Sequence, residues 1–214
     1  MTPHYQRYLQ LKQEEPGLFP GKADDPYRIL HNDAEVQRLG LGDQCGVMYE
    51  NDYIRVLNEP IMGPKGPTPY LRILGAKHAT PGVCILSQFE DRFVFIEIFR
   101  HPARDWLLEL PRGFGDPGCT TEDNVRREAK EEIQAEVESI QTLGRVFPDS
   151  GISGKFDDIV YAKLSNMDAF TSSEGIRSRL SLTCDEIDEA IRSGRIRDGF
   201  TLSALSMARA AGFM

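Results

Sequence analysis

Three carboxylates stand close together in this chain of 214 residues: Glu128, Glu131 and Glu132, within Arg127-Glu128-Ala129-Lys130-Glu131-Glu132. On a helix, residues three and four apart share one face, so this spacing predicts one acidic patch. Carboxylates grouped in this way repel one another until a cation neutralises them. Oxygen ligands at this density suit a hard divalent ion, Mg²⁺ or Mn²⁺. The same residues also read as a solvated acidic helix in which Arg127 pairs with Glu131 at i,i+4. The residues ahead of the helix tip the balance towards a metal.

Those residues run from Leu110 to Thr121. Within them, Pro111-Arg112-Gly113-Phe114-Gly115-Asp116-Pro117-Gly118 has a composition that argues against regular structure. Thr120 or Thr121 is placed to cap the helix, and Asp123, three residues after Thr120, completes a capping box. The helix is expected to run through Asn124 to about Val137, with Val125, Ala129, Ile133 and Val137 on its buried side.

The spacing from Gly113 to Ala135 resembles the Nudix box, G-x5-E-x7-R-E-U-x-E-E-x-G-U, where U is aliphatic. Gly113 takes the first glycine, Arg127-Glu128 the R-E, Ala129 the first U, Glu131-Glu132 the E-E and Ala135 the last U. Cys119 stands in place of the first glutamate and Gln134 in place of the last glycine. The resemblance implies a Nudix fold and metal-assisted attack on a diphosphate. Glu128 and Glu132 would be direct metal ligands. Glu131 would bind a metal or hold a metal-bound water, and the backbone carbonyl of Arg112 would bind metal as well.

Flanking stretches are similar to the ADP-ribose pyrophosphatase branch of that family. Phe99-Arg100-His101-Pro102 with Trp106-Leu107-Leu108-Glu109-Leu110-Pro111-Arg112-Gly113 resembles its YR-x-P … W-x-x-E-L-P-A-G, with Arg112 in place of alanine. Gly144–Ser153 resembles its G-x-x-Y-x-S-P-G-x-S loop, and Ile191–Leu205 its C-terminal G-x-I-x-D-x-x-T-x-x-A-L. Substrate contacts are expected from Arg100, Glu109 and Arg112. Arg100 would clamp the diphosphate as a planar donor; its alternative is a surface arginine at a strand end. Glu109 takes part in the metal site or pairs with a nearby cation. No glutamate lies between Ser139 and Asn166, where the branch often carries its catalytic base. Either Asp157 takes that role, or Glu131 does, or the base is absent. Asp157-Asp158 also reads as a solvated turn. Cys119 is either a reactive thiol near a helix start or a packed or neutral replacement.

The elements that must position these groups follow the chain. Residues 5–13 predict a short amphipathic helix, and 27–30 and 34–39 are weakly structured. Tyr53–Leu57 and Tyr70–Leu74 are expected as a hairpin with a long connection, Pro60–Pro69. Strands are expected at Val83–Phe89, Phe93–Phe99, Trp106–Leu110, Ile140–Phe147 and Asp158–Leu164. Residues 171–179 read as loop, and Cys184–Ser193 and Thr201–Ala211 as helices. The expected class is α/β: a mixed β-sheet between helical layers, with an N-terminal extension over 1–50 and the Nudix domain over 51–214.

Composition narrows the partners. A net charge of −8 argues against nucleic acid. A bound metal reverses the local sign, so phosphate-bearing small molecules remain suitable. Four widely spaced cysteines without C-x-x-C, a polar N-terminus and no membrane-length apolar run give the expectation of a cytoplasmic protein with reduced thiols. The resemblance implies Mg²⁺- or Mn²⁺-dependent cleavage of ADP-ribose or a sugar nucleotide by a homodimer. Base recognition would come from the strands around 53–75. The alternative is a non-catalytic nucleotide-sugar sensor that keeps the fold, favoured by Cys119, Gln134 and the missing loop glutamate.

Overall fold

The structure is a computed structural model that describes residues 1–22, 24–75, 80–172 and 175–214. The chain divides into two compact units, Met1–His78 with Asp149–Lys155, and Ala79–Pro148 with Phe156–Met214.

The N-terminal unit begins with α1 (Pro3–Glu14), capped by the Thr2 hydroxyl. One face of α1 buries Tyr5, Tyr8 and Leu11 against Val36, Leu57 and Leu74. After β1 (Arg28–Ile29), α2 (Asp33–Arg38) and β2 (Gly46–Glu50) come β3 (Ile54–Gly63) and β4 (Gly66–Gly75). The stretch expected as a long connection is itself strand. The β3–β4 ladder runs unbroken from Ile54↔Gly75 to Gly63↔Gly66, so only Pro64 and Lys65 make the turn. Pro67 and Pro69 are tolerated because this end of β4 pairs with β3 alone; the other side of the strand is bridged only further on, at Ile73 to Ser153. Residues 34–39, weakly structured in the sequence reading, form α2 because Asn32 caps Glu35 N–H.

The second unit holds a seven-stranded mixed sheet in the order β11-β6-β5-β10-β9, with β7 on β6 and β8 on β5. Its strands are β5 (Thr80–Phe89), β6 (Arg92–Arg100), β7 (Asp105–Glu109), β8 (Arg112–Gly115), β9 (Ala135–Val146), β10 (Asp157–Met167) and β11 (Ile176–Leu182). The β5–β10 pair is parallel and the other pairs are antiparallel. Side chains alternate along β5, as the period of two requires. Val83 and Ile85 face α3 (Thr121–Ile133), where Val125, Ala129 and Ile133 close one core. Cys84 and Leu86 face α4 (Cys184–Arg192) and α5 (Gly199–Ala210), where Ile187, Ala204 and Leu205 close the other. A sheet buried on both faces explains why β5 and β6 read as nearly continuous apolar runs.

Three local expectations are corrected. The proline–glycine stretch before α3 contains regular structure: Gly113 pairs with Val83 and Arg112 with Cys84 in β8. Glycine permits this because β8 lies too close to its neighbours for side chains; a methyl on Gly115 would sit 2.2 Å from the Pro81 carbonyl oxygen. The stretch 171–179 contains the start of β11, which pairs with β6 as an outer strand; Ser173 and Glu174 in that stretch lie outside the described residues. Finally, α3 ends at Ile133 rather than near Val137, because Gln134 adopts the left-handed conformation (φ 47°) and sends the chain into β9.

Gln134 thus does the geometric work of the glycine expected there. Its amide donates to the Glu131 carbonyl (2.9 Å) and accepts from Thr171 N–H (3.3 Å). The left-handed cost falls on any residue with a Cβ. Gln134→Gly removes both the cost and the amide bonds, and Gln134→Ala removes the bonds alone. The glycine variant should therefore be more stable than the alanine variant by about 1 kcal/mol in urea unfolding.

Candidate active site

The site is built on α3 and β8. A full capping box between Thr120 and Asp123 starts the helix. Two further bonds fix its first turns: buried Asn124 accepts from Asp116 N–H (3.1 Å), and Thr121 Oγ1 donates to Asp158 (2.9 Å). The helix therefore meets the glycine strand in one rotation.

That rotation exposes the three glutamates to different degrees. Glu128 and Glu132 are one turn apart on the inner face and are buried, whereas the Glu131 side chain is 52 % exposed. Glu131 stands at the exposed rim of the patch, with Glu128 and Glu132 inside it. The reason is helical: Glu131 lies about 100° from Glu132 around the axis, on the stripe it shares with Arg127. Arg127 Nη1 reaches Glu131 (2.9 Å), the i,i+4 pair that the alternative sequence reading described. The same nitrogen also reaches Glu128 (2.8 Å), Nε reaches Asp116 (2.9 Å), and Nη2 donates to the Phe114 carbonyl (2.9 Å). Arg127 is thus the clasp between the helix and the glycine strand, a role the sequence reading missed.

Gly113 is where the two elements meet. A methyl group there would lie 1.8 Å from Glu128 Oε1, so no side chain is possible without moving the carboxylate. Glu132 is held from the same strand by the Arg112 backbone N–H, which donates to Oε2 (2.9 Å). Burial pushes the Glu132 carboxyl up to about 7; the Arg112 N–H opposes this and the charge of Glu128 adds to it. Among the described residues no group of three or more His, Cys, Asp or Glu side chains is arranged to hold a metal. Two buried, mutually repelling carboxylates nevertheless fit Mg²⁺, which takes one or two carboxylates and completes its shell with waters and substrate phosphates.

Asp157 and Asp158 do not form a solvated turn. They open β10, with Asp158 buried between Thr121 and Arg145 Nε (3.0 Å). Asp157 Oδ1 accepts from Gly82 N–H (3.1 Å). A methyl on Gly82 would meet both Asp157 Oδ1 (2.8 Å) and the Gly113 carbonyl oxygen (2.7 Å). Asp157 therefore sits two backbone contacts from Glu128.

The substrate-contact candidates come together around Glu109, which is fully buried. Arg100 grips it through Nη2 (2.6 Å) and Nε (3.0 Å), and Arg112 Nε adds a bond of 3.1 Å. Glu109 is accordingly a partner for cations. Arg112 also approaches Asp198 (3.7 Å) and lies over the Phe200 ring (4.9 Å). The motif around Asp198 drew attention in the sequence, but nothing there connected it to Arg112. Cys119 is exposed, so the packed reading is corrected.

In the N-terminal unit, the strands around 53–75 line a cleft of about 320 Å³ with Tyr27, Tyr70, Ile61, Glu59 and Arg72. The two tyrosine rings are 5.6 Å apart. Arg72 Nη1 holds buried Glu59 (3.0 Å).

A family model described as the NUDIX domain matches residues 76–189, just over half of the chain. No curated protein matches it. Among solved structures, one described as "Crystal structure of ADP compounds hydrolase" aligns with a TM-score of 0.68 and 16% identity, covering 89% of this chain and 96% of that one. At that identity the likeness is one of fold.

The Gly113–Glu128 contact yields a direct test. Gly113→Ala should weaken Mg²⁺ or Mn²⁺ binding by about tenfold or more in calorimetric titration, because the carboxylate must move. Cys119→Ser should leave that binding unchanged.

Proposed function

The chain belongs to the Nudix hydrolase family, and on that premise we propose that it splits the diphosphate of ADP-ribose or a sugar nucleotide. The products would be a nucleoside monophosphate and a sugar phosphate. The observation that carries this reading is the buried Glu128–Glu132 pair set against Gly113, with two guanidinium groups gathered on Glu109 next to it.

Each residue then has a defined task. Glu128, Glu132 and the Arg112 carbonyl would hold Mg²⁺ or Mn²⁺. When bound, the metal supplies positive charge to the diphosphate and raises the acidity of water. Arg100 meets the diphosphate as a planar donor whose orientation is locked by Glu109. Asp157 is the proton acceptor we favour, because it lies beside the Gly113 carbonyl while Glu131 is tied to Arg127 at the surface. Base recognition is assigned to the tyrosine-lined cleft of the N-terminal unit, whose rings and Arg72–Glu59 pair offer stacking and polar contacts to a planar heterocycle. A homodimer and a cytoplasmic location complete the proposal, the latter supported by four free cysteines. No helix among the described residues is long and apolar enough to cross a membrane.

The sensor reading draws on Cys119, Gln134 and the missing loop glutamate. Gln134 keeps the helix end that glycine would make, so that departure does not disturb the carboxylate pair.

The deciding assay incubates the protein with Mg²⁺ or Mn²⁺ and ADP-ribose, sugar nucleotides and dinucleotide polyphosphates, and measures released monophosphate. Turnover of one class is expected, and Glu132→Gln should lower it by on the order of 100-fold or more. Binding without turnover across the panel would favour the sensor.

A further inference from the structure

A cleft of about 310 Å³ in the second unit has no task in this scheme. Its walls are the end of β9 with Phe147 and Pro148, and the start of α5 with Asp198, Gly199, Phe200 and Ser203. Arg112 lines it as well. The backbone of Arg112 serves the carboxylate site through its N–H to Glu132, while its side chain serves this cleft. One residue therefore joins the two.

Of the charged groups at the cleft, the cation is the most exposed. Its lining holds two charged side chains, Arg112 and Asp198, and Glu109 stands behind them. The Arg112 side chain is 25 % exposed, Asp198 10 % and Glu109 not at all. Both carboxylates are also occupied. Asp198 Oδ2 accepts from Thr201 N–H (2.8 Å) and Thr201 Oγ1 (2.9 Å), and Glu109 is shared between Arg100 and Arg112. They orient the guanidinium and keep it charged. Arg112 Nε is spent on Glu109 and Nη2 faces Asp198, whereas no hydrogen bond from Nη1 is found among the described residues. The Phe200 ring fixes the guanidinium plane from one side. Exposed Phe147 adds an apolar wall. A planar donor in a slot whose one lining carboxylate, Asp198, is taken up by Thr201 matches a phosphate on a compact organic group.

We infer that this cleft is a phosphate-reading subsite, and that Arg112 selects substrates carrying an additional phosphate on the sugar beyond the diphosphate. The inference rests on the hydrolase reading above and narrows its substrate class to nucleoside diphosphates joined to a phosphorylated sugar. Arginine stands where the resembling branch carries alanine, so the selectivity belongs to this chain's own residue.

The test compares ADP-ribose with ADP-ribose 1″-phosphate in two readouts: equilibrium binding in EDTA, and kcat/KM with Mg²⁺. The wild type should favour the phosphorylated compound at least about tenfold, the worth of one charge-assisted hydrogen bond. Arg112→Ala should bring the ratio between the two compounds close to one. Ser203→Glu should do the same by placing a carboxylate on the cleft wall, and it carries the test should Arg112→Ala fail to fold. A wild-type ratio near one, or a preference that survives in these variants, overturns the inference while turnover of ADP-ribose leaves the hydrolase reading intact. Neither binding nor turnover of either compound overturns both.

Discussion

The arrangement depends on how closely β8 and α3 approach at Gly113. With Glu128 Oε1 occupying the space a methyl group would need, strand and helix have one relative position in which the carboxylate fits. The surrounding contacts hold that position. Arg127 spans from Asp116 and the Phe114 carbonyl to Glu128 and Glu131, and Asn124 anchors Asp116 N–H. Gly82 and Gly115 repeat the same device along β5 and β8. Glycines here act as spacers that bring backbone within reach of carboxylates, and only Gly118 among those of the 113–118 stretch has a positive φ. Their composition reads as loop, but their function is close packing.

Electrostatics then explains why the pair is placed where folding gains nothing from it. Burying two carboxylates side by side opposes their ionisation, and the upward shift of Glu132 expresses that opposition. The neighbouring guanidinium groups offset this unequally: Arg127 pairs with Glu128 (2.8 Å), whereas Arg100 and Arg112 are shared on Glu109 and act on Glu132 only from a distance. Glu132 therefore keeps the raised carboxyl of the pair.

Much of this was legible in the sequence, for reasons specific to the residues involved. The 3.6-residue period put Glu128 and Glu132 on one face, and the Thr120–Asp123 capping box fixed where the helix starts. Apolar runs marked β5 and β6 because both faces of the sheet are covered. The exposure of Glu131 was not decidable from spacing, since i+3 and i+4 neighbours both count as one face until packing chooses the rotation. The long β3–β4 hairpin was hidden by prolines that an outer strand tolerates. β11 was hidden because its pattern is polar; it is an outer strand whose burial alternates only weakly. The joining of Arg112 to Asp198 spans 86 positions of sequence, and no local pattern reports such a contact.

Arg112 shows how one position can change without disturbing the centre it belongs to. The centre uses its backbone: the N–H donated to Glu132 is present in every residue but proline. The side chain leaves in the other direction, towards Glu109, Asp198 and Phe200. Alanine and arginine are therefore equivalent to the carboxylate pair and opposite to the cleft. A guanidinium brought this close to buried carboxylates would ordinarily neutralise them and block a cation. Here Glu109 and Asp198 intercept it first, so the Arg112 side chain makes its ion pairs with them rather than with Glu128 and Glu132. The buried carboxylate Glu109 is what makes an arginine at this position compatible with the carboxylate pair beside it.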